Sequence, residues 1–165
     1  MISTRIKRLL WGGLMIWGLF GCDYFAQKEL KPGVSTVEDV RRLMGEPERI
    51  WDENDGSRTY EYVRGPAGHE TYMIVVDADG RFRSMRNVLV PEFFAQVKPG
   101  MSEEQVRRLL GKPTETVFFR LKQEDVWSWR HYGDQRQPMM FNVHFDQDHR
   151  VKTTSLSPDP TRING

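Results

Sequence analysis

The chain repeats itself. Residues 30–47 read LKPGVSTVEDVRRLMGEP, and residues 97–113 read VKPGMSEEQVRRLLGKP. Lys-Pro-Gly, a serine, Val-Arg-Arg-Leu, a glycine and a proline recur. The offset is 67 at Gly33 and Gly100 and 66 at Gly45 and Gly111, so the first copy carries one extra residue at its helix entry. The likeness runs on: Tyr60 to Tyr62 stands opposite Trp127 to Trp129, and YMIVVDADGRF (72–82) opposite FNVHFDQDHRV (141–151). A period near 67 residues covers almost all of the chain after its first two dozen residues. The fold must therefore be one small unit built twice.

Each unit reads the same way. Ser35 with Glu38, and Ser102 with Gln105, have capping-box spacing, in which a hydroxyl accepts from an early helix N–H and the longer side chain reaches back. Val40, Leu43 and Met44 make one apolar helical face, matched by Val106, Leu109 and Leu110. Gly45 and Gly111 suit a left-handed helix end, and Pro47 and Pro113 forbid continuation. A short helical candidate precedes each Pro-Gly: YFAQKEL (24–30) and PEFFAQV (91–97). Alternating runs then predict strands at 48–52, 58–64, 70–77 and 81–88, and at 115–121, 125–131, 139–146 and 150–156. Asp55-Gly56 and Asp79-Gly80 are hairpin turns. The expected fold class is α+β: two tandem units, each a helix pair packed on one face of a three- or four-stranded antiparallel sheet. The units should span 22–89 and 90–157. The tail from 158 to 165, rich in Pro, Asp and Gly, is expected to be disordered.

The first 21 residues stand outside the repeat. Arg5, Lys7 and Arg8 precede a charge-free run of 13 residues, Leu9 to Gly21. A membrane-spanning helix needs about 20 apolar residues, so this run reads as a secretory signal peptide. Its end, Leu19-Phe20-Gly21-Cys22, resembles the bacterial lipoprotein signal. That resemblance makes Cys22, the single cysteine, the first mature residue, acylated with palmitate-type chains. Several such chains anchor a protein without a transmembrane helix. Asp23 is then a sorting signal, since aspartate after the lipidated cysteine favours inner-membrane retention in enteric bacteria.

Removing the signal takes three basic residues from the 24, leaving 21 Lys and Arg against 23 Asp and Glu, a net charge of −2. No positive excess suits nucleic acid. The 144 remaining residues suffice for two small units.

The series Gly100, Met101, Ser102, Gln105, Val106, Leu109, Leu110, Gly111 and Pro113, with Trp127, Val143, Phe145 and Asp146, resembles the BamE (SmpA/OmlA) family of outer-membrane assembly lipoproteins. The first unit carries a weaker copy. Two units in tandem resemble the layout of the β-lactamase inhibitory protein. The BamE resemblance implies a non-catalytic, periplasm-facing lipoprotein of the outer membrane, whose partner is outer-membrane assembly machinery or another envelope complex. The second resemblance implies the alternative, a binder that inhibits a periplasmic enzyme, with DENDGSR and YGDQRQP as candidate inserting loops.

No chemistry competes with those readings. No GxSxG, phosphate loop or histidine-rich spacing is present. His69, His131, His144 and His149 lack metal-ligand spacing, although His144 could face His131. No enzyme activity, cofactor, metal or small-molecule substrate is expected. Arg41-Arg42 and Arg107-Arg108 read as solvated helix faces with acidic neighbours four residues before them. Strand alternation puts Tyr60, Tyr62, Trp127 and Trp129, with Tyr72, Ile74, Val76, Phe141, Val143 and Phe145, under the helices. The opposite face carries Glu61, Met73, Val75, Ser128, Arg130, Met140, Asn142 and His144. Its methionines and arginine suit an interface, so these eight residues form the candidate partner surface.

Overall fold

A computed structural model describes residues 29–162. The signal at 1–21, Cys22, Asp23 and most of the expected first helix lie outside the described residues, as do residues 163–165. Among the described residues no helix is long and apolar enough to cross a membrane.

The duplication is complete at the level of topology. The first unit has helix α1 (Val37–Met44) and strands β1 (Arg49–Asp52), β2 (Arg58–Arg64), β3 (Glu70–Val76) and β4 (Phe82–Asn87). The second has α2 (Pro91–Phe94), α3 (Glu103–Leu110), β5 (Glu115–Phe119), β6 (Glu124–Tyr132), β7 (Pro138–Phe145) and β8 (Val151–Pro158). Each set of four strands is an antiparallel meander, β1-β2-β3-β4 and β5-β6-β7-β8. Both meanders carry a register shift at matching places, Val75/Val76 and His144/Phe145. Both glycines of the Pro-Gly pairs tie the helix entry to the last strand, through Gly33 N–H to Phe82 O and Gly100 N–H to Val151 O, each 2.8 Å.

One cap differs from expectation. In the second unit Ser102 and Gln105 form the expected capping box. In the first the box is Thr36 with Asp39, not Ser35 with Glu38. The extra residue explains the shift: Ser35 is drawn back into the turn, where its hydroxyl accepts from Lys31 N–H at 2.9 Å. Thr36 then takes the cap position.

Each main helix has only eight residues, shorter than the roughly 12–15 an isolated helix needs to persist. Packing must hold it. Val40 and Met44 are buried among Tyr60, Tyr62, Tyr72, Ile74, Val76 and Phe82. Val106 and Leu110 are buried among Trp129, Phe141, Val143 and Phe145. Each such side chain contributes about 1.5–3 kcal/mol on full burial, against about 1 kcal/mol for a cap. The helix ends are then closed by aromatic donors from the second strand of each sheet. Tyr62 Oη donates to Gly45 O at 3.2 Å, and Trp129 Nε1 donates to Gly111 O at 3.0 Å.

The tail is ordered further than its composition suggests. β8 reaches Pro158, a 3₁₀ turn follows at Pro160–Arg162, and Asp159 is buried. This corrects the expected disorder for 158–162. The residue responsible is Asp159, which accepts from Thr161 N–H and Oγ1 and lies 3.1 Å from Arg130 Nε.

The two helix-ending glycines share a left-handed backbone, φ +74 at Gly45 and +77 at Gly111. A Cβ at Gly45 meets nothing within 4 Å, whereas one at Gly111 lies 2.7 Å from Thr71 Cγ2 of the first unit. Gly45→Ala should therefore cost about 1–2 kcal/mol, the left-handed penalty alone. Gly111→Ala should cost about 1–3 kcal/mol more for the forced overlap. Urea unfolding of the two variants checks this; equal midpoints would remove the contact from the account.

Candidate partner-binding surfaces

Glu61 shows where half of the candidate surface has gone. β2 and β3 present Glu61 and Met73 as direct cross-strand partners on the face away from α1. α3 of the second unit lies across that face. Lys112 N–H, just beyond the Gly111 turn, donates to Glu61 Oε1 at 2.7 Å, and Arg107 Nη2 lies 3.4 Å from the same oxygen. Arg108 pairs with Glu53 at 3.2 Å and sits 4.8 Å from the Trp51 ring centre. Met73 joins the core of the second unit.

Glu61 is 0% exposed and Met73 4%, so neither is available to an outside partner. This corrects the sequence expectation: the partner of that face is the chain's own second unit. Val75, further along the same face, is half-buried. The arginine pairs diverge as well. Arg42 pairs within its own helix, with Asp39 at 3.0 Å. Arg107 and Arg108 join the units and are not a merely solvated face.

The five candidate residues of the second unit form a ladder that satisfies itself. Ser128 Oγ donates to Asn142 Oδ1 at 2.8 Å, and Asn142 Nδ2 donates to Ser157 Oγ at 3.1 Å. His144 Nε2 lies 3.0 Å from Ser155 Oγ, and its Nδ1 lies 3.5 Å from Glu124 Oε2. Lys152 holds Glu124. Arg130 is committed to Asp159. Met140 and Ser128 are buried, while Arg130, Asn142 and His144 are half-buried. His144 stands opposite Val126, and His131 opposite Met139, so the two imidazoles do not face each other across the strands.

The Ser155–His144–Glu124 chain has the order of a hydroxyl, an imidazole and a carboxylate. Its serine sits on a regular outer strand, without the sharp strand-to-helix turn that exposes a nucleophile. Asn142, the amide beside Ser155, already spends its NH₂ on the two serines. The arrangement reads as cross-strand pairing.

The most exposed apolar surface was missed by sequence reasoning. Every residue of β5 is exposed, and Val117, Phe118 and Phe119 are followed by a fully exposed Leu121 in the turn to β6. β5 is an edge strand that pairs only with β6. The signal was present in the repeat. Where the first unit has Ile50-Trp51-Asp52, the second has Val117-Phe118-Phe119, apolar on both faces of the strand. Phe94, His131, Met139, Phe141 and Leu156 line a separate groove of about 560 Å³ on the helix-facing side of the second sheet.

Beside that groove lie two buried imidazoles. His69 stacks on Tyr132 with ring centres 4.4 Å apart. His131 meets the Phe94 ring edge-on at 4.7 Å, and neither of its ring nitrogens makes a hydrogen bond of normal geometry. Burial pushes the His131 imidazole below its ordinary range, the Tyr132 backbone acts against this, and the nearby His69 reinforces it. Burial also opposes the charge of Asp159. The Thr161 backbone and hydroxyl, with Arg130 and His69, outweigh it and hold that carboxyl below the usual range.

Residues 87–155 match the family model of the outer membrane protein assembly factor BamE domain. The second unit is a BamE domain. The first repeats its capped helix and strand order outside the matched residues, so the chain is BamE-like with two units in tandem. No curated protein matches it. Among solved structures, a candidate osmotically inducible lipoprotein, OsmE, is 26% identical over 43% of this chain and 82% of its own, with a TM-score of 0.37. A candidate β-lactamase inhibitor protein from Streptococcus mutans is 15% identical over 82% of this chain and 95% of its own, with a TM-score of 0.34.

The depressed His131 gives a pH dependence with a definite sign. The unfolded imidazole binds a proton near pH 6.5, while the folded one resists it. This group's contribution is complete above pH 6.5 and is lost as pH falls through the lower folded value. Unfolding midpoints at pH 7.5 and 5.5 should drop less for His131→Phe than for wild type. An identical drop in both would mean that His131 is not the group titrating.

Proposed function

We propose that the protein is a non-catalytic, lipid-anchored subunit of the cell envelope. In this reading its BamE domain grips another envelope protein through the β5 edge and the β5–β6 turn. The observation that carries this is the row Val117, Phe118, Phe119 and Leu121, exposed on an edge strand. An exposed apolar edge is an aggregation hazard that soluble proteins ordinarily blunt. Retained, it suits a partner that covers it and adds a strand to the sheet. The family model, named for an outer-membrane assembly factor, supports an assembly complex as the partner class.

Anchoring works by confinement. Acyl chains on Cys22 would hold the module at a membrane surface and raise its effective concentration near membrane partners. The proposed membrane is the outer one, on the strength of the BamE domain, against the inner-membrane signal of Asp23.

Two measurements test this. Crosslinked purification from membranes should recover outer-membrane assembly subunits with wild type. Recovery should fall about tenfold or more with Phe118→Glu plus Phe119→Glu, since charges in a desolvated contact cost several kcal/mol. Undiminished recovery would move the interface elsewhere. Membrane fractionation should place wild type with the outer membrane and release Cys22→Ala to the soluble fraction. Firm membrane retention of Cys22→Ala would defeat the anchor.

A further inference from the structure

We propose that Glu103, Asp125 and His149 form a binding site for a divalent metal ion of the zinc class. One ligand atom of each lies within 4.8 Å of the others. The three come from different elements: the first residue of α3, the second residue of β6, and the turn between β7 and β8. His149 Nδ1 is already 2.8 Å from Glu103 Oε1.

The duplication supplies an internal control. By the repeat register, the matching residues of the first unit are Val37, Arg58 and Gly80, which offer no ligand at all. All three positions have become metal-binding types in the second unit, at one place. The turn explains none of this. Gly80 N–H donates to Asp77 O, and His149 N–H donates to Asp146 O, in the same geometry. The backbone is left-handed at both, φ +81 and +56, and glycine satisfies it without a side chain. Histidine is tolerated there, but the turn does not need its ring.

An ion pair does not account for the set either. Pairing His149 takes one carboxylate, and Glu103 provides it. Asp125 is then surplus; among the described residues its carboxylate has no ion pair and no side-chain hydrogen bond. Two carboxylates around one imidazole leave the group net negative even with the ring protonated. A dication would balance them. Imidazole nitrogen with two carboxylate oxygens suits zinc and its neighbours, whereas calcium and magnesium prefer all-oxygen sites. Bonds of about 2.0–2.2 Å set tetrahedral ligands roughly 3.5 Å apart. The His149 side chain is 67% exposed, so it can close that gap without disturbing the core. The fourth position would fall to water or to a donor from a partner.

The site is independent of the β5 edge, so its test does not depend on the proposed function. Calorimetric titration of the full chain in detergent with zinc chloride should show one site. Cobalt(II) on the same protein should give the visible absorption of a tetrahedral ion. His149→Gly installs the residue that the first unit uses in the same turn, so folding should be retained, as circular dichroism would show. His149→Gly and Asp125→Asn should each weaken zinc binding about tenfold or more, and His144→Gln should leave it unchanged. Absence of a single-site isotherm in wild type overturns the proposal. So does an affinity that survives both His149→Gly and Asp125→Asn, or one that falls with His144→Gln instead.

Discussion

The contact on which the rest depends is the seat of α3 on the first sheet. One eight-residue helix serves two sheets. Val106 and Leu110 face the second sheet, while Arg107, Arg108 and the Gly111 turn face the first. A buried carboxylate near a helix C-terminus meets the negative end of the helix dipole, so Glu61 should be poorly placed there. It is rescued because the left-handed Gly111 turns the next N–H outward, and that N–H, from Lys112, binds Glu61 directly. Only glycine permits both the turn and the approach. Arg107 supplies the compensating charge. A buried pair of this kind adds little net stability, but breaking it is costly, so it fixes where the helix must sit.

That arrangement explains how two copies of one plan have diverged. The position held by Glu61 in the first sheet is Ser128 in the second, and that of Met73 is Asn142. The first pair holds a helix and is sealed. The second pair belongs to a row of short polar side chains that bond to one another across β6, β7 and β8. Polar groups left on a sheet face are tolerable when each finds a partner, and here the neighbouring strands supply them. The copies therefore keep identical topology and a common cap, and differ on the sheet face away from their own helix.

Local features were legible in the sequence because they depend on neighbours in the chain. The period, the helix-ending glycines, the eight strands and the aromatic core face all follow from spacing. The Thr36 cap was misread by one residue because two adjacent hydroxyls compete for one role, and the extra turn residue decided it. The apolar excess at Met73 did mark an interface. Alternation reveals that a face wants a cover but not which cover, and the cover was 35 residues downstream. Asp159 was illegible for the same reason: its composition reads as tail, and its burial depends on Arg130 and His69 from distant strands. The convergence of Glu103, Asp125 and His149 could not be seen from spacing, since no two of them share an element.

The β5 edge deserves a physical reading of its flanks. Leu121 stands between Arg120 and Lys122, and charges beside an exposed apolar stretch are gatekeepers that oppose self-association. The free strand edge would otherwise pair with a second copy of itself. Like charges at the turn would repel a second identical edge, whereas a partner carrying acidic residues would meet no such barrier. The hairpin thus combines an apolar surface that gains from being covered with charges that select what covers it. Specificity of this kind comes from the disfavoured contact as much as from the favoured one. It is consistent with an edge kept open for a different chain, not one left over from duplication.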